Sequence, residues 1–278
     1  MAITGGIKFF DKNKADSLTG ATVVASSGDP SSKFILDKNR FTVWRSVGSD
    51  DTTTETLTIT LFSSESFNRL FLIRHNFKEF TAKYWDGFSF VDFANVIGIN
   101  GIVTTGVSEI AYALGSSYYE FDSVTTTIIQ ITATKTQVPN EEKFLNSFVV
   151  TSELGTLVGF PKAVPTKDRK LRKSILLNGR VNVDKSLEVM RFAIDFKNYP
   201  PTLTTDLNLL ITLFDRDDSF LVWLSGGRNG TPFFKQQLVG FRIEDLIQMQ
   251  VTNIFKDSYR KNTYTSMVNQ KLNLEEAR

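Results

Sequence analysis

The chain has 278 residues, 41% of them hydrophobic, with 32 basic against 30 acidic side chains and one histidine, His75. That size and apolar content support one large or two modest folded domains and exclude a disordered chain. Cysteine is absent, which excludes disulfides, thiolate nucleophiles and cysteine-ligated metal clusters, and a net charge of +2 argues against a nucleic-acid partner.

The opening residues carry charges within the first dozen positions and no long apolar core, so they read neither as a secretion signal nor as a membrane span. Residues 1–20 read as polar and irregular. "ATVVASS", Ala21 to Ser27, reads as a short edge strand. The "GDPSS" that follows turns the chain, because Pro30 fixes φ and Gly28 tolerates unusual φ. Beyond a turn at Asp37–Arg40, Phe41 and Val43 alternate with Thr42 and Trp44.

"TTTETLTITLFSS" is the cleanest strand: Leu57, Ile59 and Leu61 face one way, Thr56, Thr58 and Thr60 the other. Further strands are predicted over Arg69–His75, through Phe80, Ala82 and Tyr84, and from Phe88 to Phe93, with Asp86–Gly87 as the hairpin turn between the last two. Residues 98–117 read as loops, Tyr118–Thr136 as a strand, Pro139–Lys143 as a turn, and "KFLNSFVVTSELGTLVGFP" as a strand pair around Gly155. Many short strands, and no long amphipathic helix, make residues 1–160 a β-sandwich.

Residues 161–173, "PKAVPTKDRKLRK", hold two prolines and six basic residues and read as a basic linker. Residues 174–255 then read as a second antiparallel β domain of five segments, including "SILLNGRVNV" with its Asn178–Gly179 turn and "LNLLITLFDR". Asp215–Asp218 reads as a charged hairpin turn. Residues 256–278 are polar and read as a C-terminal extension. The predicted fold is therefore mainly β, two domains and a tail.

No catalytic constellation emerges. "SGGRNG", Ser225 to Gly230, lacks a Walker lysine. Asp215, Asp217 and Asp218 do not match a calcium loop; Asp50 and Asp51 are the other calcium candidates. His75 ends an apolar strand and reads as structural. No carboxylate pair stands out for glycoside hydrolysis. No cofactor and no metal is expected. The candidate ligand contacts are Trp44, Trp85, Phe88 and Trp223, aromatic residues beside strand ends or turns whose faces can stack on sugars.

Three stretches carry a family resemblance: "LDKNRFTVWRSVGSDDTTTETLTITLFSS", "FNRLFLIRHNFKEFTAKYWDG" and "YYEFDSVTTTIIQITATKT". Together they resemble the galactose-binding-like, discoidin-type jelly roll over roughly residues 16–160. The resemblance implies loops at one end of a sandwich that bind sugars, lipids or polymers, or a purely structural role in an assembly. The whole chain also resembles tail or baseplate proteins of long-tailed bacteriophages in its cysteine-free, Thr-, Asn- and Phe-rich texture. The leading expectation is a structural virion protein, a homo-oligomer contacting other tail proteins through loops and the C-terminal extension. The alternative is a carbohydrate-binding module contacting host-surface glycans, and a third reading is a glycoside hydrolase.

Overall fold

Alternation of Thr with Leu and Ile gives the chain its central ladder. The computed structural model describes residues 7–37, 41–48, 52–99, 115–157, 162–175, 181–195, 208–209, 211–213, 215–216, 218–224, 246–251 and 271–276. It divides into two compact units. The first takes in residues 10–153 and 223–246, the second residues 6–9, 154–222 and 247–278. Both are antiparallel β structures, and among the described residues no helix is long and apolar enough to cross a membrane.

The first unit is built on two long strands, β4 (Glu55–His75) and β8 (Gly115–Thr136), paired along most of their length. The two expected strands at 57–61 and 69–75 are thus one strand, interrupted by register shifts between Thr60 and Glu65 and between Leu72 and His75. These irregularities bend the ladder, so that β4 pairs first with β2 (Thr22–Ala25) and later with β9 (Phe144–Thr151). β3 (Trp44–Arg45) pairs with β9, while β5 (Phe77–Trp85) and β7 (Ile97–Ile99) pair with β8. β6 (Phe90–Asp92) closes a hairpin with β5.

The result is a jelly-roll sandwich around one core. Leu57, Ile59 and Leu61 point into it as the alternation predicts, joined by Phe80 and Ala82 of β5, Ile129 and Ile131 of β8, and Phe148 and Val150 of β9. Burial of a side chain of this size is worth about 1.5–3 kcal/mol relative to exposure. Between β2 and β3 the chain makes a short helix, α1 (Asp29–Ser32). Gly28, at φ 63°, precedes it, and a Cβ there would lie 1.9 Å from the Arg45 carbonyl oxygen. Only glycine fits, for both backbone angle and space. The Trp44 face is the reverse of the surface alternation: Trp44 points inward, while Phe41 is 96% exposed.

The second unit contains most of a seven-stranded sheet in the order β10–β1–β13–β14–β15–β12–β11. These strands are β1 (Ile7–Phe10), β10 (Glu153–Leu157), β11 (Lys162–Ile175), β12 (Val181–Asp195), β13 (Phe220–Leu224), β14 (Ile247–Val251) and β15 (Lys271–Glu276). Several expectations change here. Residues 7–10, read as irregular, form a strand buried on both faces. A fully buried strand shows no alternation, so the short run "IKFF" carries little periodic signal. The pair expected around Gly155 does not form a hairpin: β9 lies in one sheet and β10 in the other.

The basic linker expected at 161–173 is instead β11, paired with β12 from Lys162↔Asp195 to Ile175↔Val181. Pro165 is tolerated because β11 lies at the end of the sheet, where a missing N–H need not break a ladder bond. The division into units is correspondingly not sequential, since β1 joins strands from the far end of the chain. The segment 208–213, read as β, is helical at 208–209 and 211–213. Leu209 and Leu213 are buried while Thr212 is exposed, and the Asp215 N–H donates to the Ile211 carbonyl at 2.9 Å. That is the i,i+4 spacing of a helix face. The charged turn at 215–218 follows a helix, not a strand.

The C-terminal extension is likewise not a free tail at its end. Residues 271–276 form β15, between β14 and β12, with Leu272↔Ile194, Leu274↔Phe192 and Leu274↔Val251 in register. The hairpin around Asn178–Gly179 is consistent with Ile175 facing Val181, although residues 176–180 themselves lie outside the described set.

Candidate functional site

His75 is the sole histidine and is wholly buried. Arg74 before it has φ 50°, at the register shift that turns His75 inward. The Phe77 N–H donates to His75 Nδ1 at 3.2 Å, so Nε2 carries the proton and donates to Ser117 Oγ at 2.9 Å. The Phe77 and Phe80 rings lie 5.0 and 5.6 Å away. Burial pushes its pKa down from 6.5 to about 3. A neutral, enclosed imidazole is a structural residue, as its place at a strand end suggests.

The four aromatic candidates separate into two groups. Trp44 is 0% exposed, and its indole N–H donates to the Ser27 carbonyl at 3.0 Å. Trp223 is 4% exposed and packs edge-on against Tyr118 and Phe71, at centroid distances of 4.8 and 6.0 Å. Both are core residues and are withdrawn as ligand contacts. A large indole beside a turn gives the same sequence signal whether it points in or out.

Trp85 and Phe88 remain, on the hairpin that joins β5 to β6. Trp85 is half-buried and meets Phe90 edge-on at 5.2 Å. Phe88 is 92% exposed. The turn between them is braced. Asp86 Oδ1 accepts from the N–H groups of Phe88 and Ser89, both at 2.8 Å, and the Asp86 N–H donates to the Ser89 carbonyl at 3.1 Å. Those backbone donors hold the Asp86 carboxyl below its usual pKa. Gly87 supplies φ 108°, which a β-carbon would strain. The Thr126 hydroxyl ties the hairpin to β8 through the Trp85 carbonyl at 2.7 Å.

From the hairpin the chain runs through Phe93 and Asn95 into β7, beside a groove of about 570 Å³ lined by Arg69, Asn95, Val96, Glu120, Phe121 and Asp122 among others. Arg69 and Glu120 face each other across the β4–β8 ladder. Arg69 donates through Nε to Glu153 at 3.0 Å, through Nη2 to the same carboxylate, and through Nη1 to the Asn68 carbonyl at 2.8 Å. Burial acts to lower its pKa, but Tyr118, Glu153 and Glu120 outweigh that and raise it. Tyr118 donates to Glu120 at 2.8 Å; burial, then the charge of Glu120, raises the phenol's pKa. Asn95, in a left-handed conformation at φ 53°, donates to Asp122 at 2.7 Å. Sequence reasoning missed this cluster, because its members lie on four separate segments that meet only in the folded chain.

Among the described residues no group of three or more His, Asp or Glu side chains is placed to hold a metal ion. Asp50, Asp51 and the "SGGRNG" loop lie outside the described residues.

No protein-family model matches the chain, and no curated protein does. Solved structures similar to about half of it include chitosan-binding module 1 from a chitosanase/glucanase of Paenibacillus sp. IK-5, at 18% identity over 50% of this chain and 98% of that one, TM-score 0.38. The CBM32-5 module from Clostridium perfringens, in complex with GalNAc-β-1,3-galactose, shares 14% identity over 50% and 99%, TM-score 0.40. CBM32-3 from a family 31 glycoside hydrolase of the same organism shares 18% over 51% and 99%, TM-score 0.36.

Proposed function

We propose that the first unit is a carbohydrate-binding module that engages sugar through the Trp85–Phe90 hairpin. The observation that carries this reading is Phe88, almost fully exposed on a turn that Asp86 locks by two hydrogen bonds, beside a half-exposed Trp85. The C–H face of a pyranose is apolar and stacks on such rings while its hydroxyls remain free for polar partners. A braced turn presents the ring at little entropic cost on binding. Three aromatic residues clustered in one turn differ from the singly scattered apolar residues that any surface carries.

The virion-assembly reading assigns contacts to the loops and to the polar C-terminal extension. Residues 271–276 of that extension are built into a sheet, whereas the exposed aromatic hairpin is a feature that binding uses directly, so binding is the function put forward. A glycan array with the intact protein, followed by calorimetry on the best ligand, tests it. Phe88→Ala and Trp85→Ala should each weaken binding about tenfold, ~1.4 kcal/mol, with far-UV circular dichroism unchanged. Absence of binding to any glycan by the intact protein sinks the proposal.

A further inference from the structure

We propose that the outer sheet face of the first unit, from Trp85 and Phe90 across β5, β8 and β4 to Phe62, is a platform for an extended, uncharged, β-1,4-linked polysaccharide. This rests on the carbohydrate-binding reading and names the ligand class: a polymer lying along the sheet, where the hairpin alone would take a single sugar. Strand register, the spacing of the aromatic rings and the charge of the face point there.

Register fixes which side chains share the face. Leu57, Ile59 and Leu61 of β4, Ala82 of β5, and Ile129 and Ile131 of β8 belong to the core. Their alternates point the other way. Lys83 lies opposite Gln130, Gln130 opposite Thr58, and Ile128 opposite Thr60. Trp85, one residue beyond the Tyr84↔Ile129 pair, falls level with Ile128 and lies opposite Phe90 of β6. Beyond β4, Thr22 and Val24 of β2 continue the face opposite Thr60 and Thr58.

Aromatic rings stand on both sides of this surface. Phe62 follows the buried Leu61 in the outward phase of β4 and is 77% exposed. Its ring rests against Gly20, where a Cβ would lie 2.8 Å from it. β8 separates β5 from β4, so Trp85 and Phe62 stand two strand spacings apart, about 10 Å across the sheet. An extended β-1,4-linked glycan turns the same sugar face outward at every second unit, a repeat close to that span. Alternate pyranoses therefore reach the two rings. Between them lie the Ile128 side chain, for apolar contact, and the Thr60 hydroxyl, which like a sugar hydroxyl both donates and accepts.

The charges on this grid are Lys83 and Asp92, and they pair with each other at 3.7 Å. The remaining positions are threonine, glutamine, aliphatic and aromatic. A polyanion or polycation finds no surplus of the opposite sign there, so electrostatic complementarity selects an uncharged chain.

The test is calorimetry of the full chain with β-1,4-linked oligomers of glucose and of N-acetylglucosamine, from the disaccharide to the hexasaccharide. In at least one series the wild-type affinity should rise about tenfold or more with length and level off once both rings are covered. Phe62→Ala, at an exposed position, should remove that gain and leave the disaccharide unaffected, while Phe88→Ala weakens every length alike. Thr60→Lys, which sets a charged chain between the rings, should do the same as Phe62→Ala; far-UV circular dichroism checks that both variants fold. Affinity independent of length, or a length gain that survives both variants, overturns the platform, and continued dependence on Phe88 then leaves the hairpin reading standing. A length gain that needs Phe62 but ignores Phe88→Ala supports the platform and removes the hairpin. Self-association in sedimentation that Thr60→Lys abolishes, with no oligomer bound, assigns the face to a second copy of this chain and overturns the platform. No binding in either series overturns it as well, and the glycan array decides the hairpin separately.

Discussion

Acidification from about pH 7.5 to 5 should destabilise the first unit through His75 alone. Its pKa is 6.5 when solvated and about 3 in the fold. Between those values the unfolded chain binds a proton that the folded chain refuses. Stability therefore rises with pH across this window, is fully present above 6.5, and is lost as pH falls toward 3. Each unit of pH inside the window costs ~1.4 kcal/mol, so at pH 5 the loss is about 2 kcal/mol. With a urea dependence of about 1–3 kcal/mol per molar, the unfolding midpoint should drop by roughly 1 M. Tryptophan fluorescence reports it, since Trp44 is in the core. The chain has one histidine, so no other side chain of ordinary pKa titrates between about pH 5 and 8. His75→Gln should be less stable at pH 7.5 but show no loss toward pH 5. The single imidazole Cε1–H resonance should not shift between about pH 5 and 8. A midpoint that stays constant in the wild type, an equal drop in His75→Gln, or a resonance titrating near 6.5 would refute the argument.

Gly28→Ala should destabilise the first unit by about 3 kcal/mol or more, since it combines positive-φ strain with a Cβ placed 1.9 Å from a carbonyl oxygen. Gly48→Ala, with φ 66° and no atom within 4 Å of the new Cβ, should cost only the backbone term, about 1 kcal/mol; urea melts of both variants measure the contrast. Truncation after Gln270 removes β15 from between β14 and β12, and should unfold the second unit, read as loss of β signal in circular dichroism and rapid proteolysis of residues 154–222. A truncated chain as protease-resistant as the parent would show that β15 contributes nothing to that sheet.

Local pattern made much of the first unit legible. The alternation at 56–61 predicts which face is buried, because period 2 is a property of any half-buried strand. Asp86–Gly87 predicts its hairpin, because the turn's chemistry is local: a glycine for positive φ and a carboxylate within reach of two N–H groups. Gly28 tolerates unusual φ, and the structure shows that the position uses it, at φ 63° with the Arg45 carbonyl pressed against it. Even β15 had a readable signal, the alternation of Leu272 and Leu274 between polar residues, outweighed by the polarity of the segment around it.

Tertiary structure alone decided the rest. Whether an indole beside a turn faces in or out depends on what packs over it, so Trp44 and Trp223 could not be told from Trp85 by their neighbours in sequence. A basic, proline-bearing stretch reads as a linker until a partner strand is found for it; Pro165 is compatible with a strand only because β11 ends its sheet. Arg69, Asn95, Glu120, Asp122 and Glu153 form one cluster because β4, β8 and the chain entering β7 are brought side by side by long-range pairing. The sequence determines what each segment prefers. Which segments meet, and so which charges share a groove, follows from the register of strands far apart along the chain.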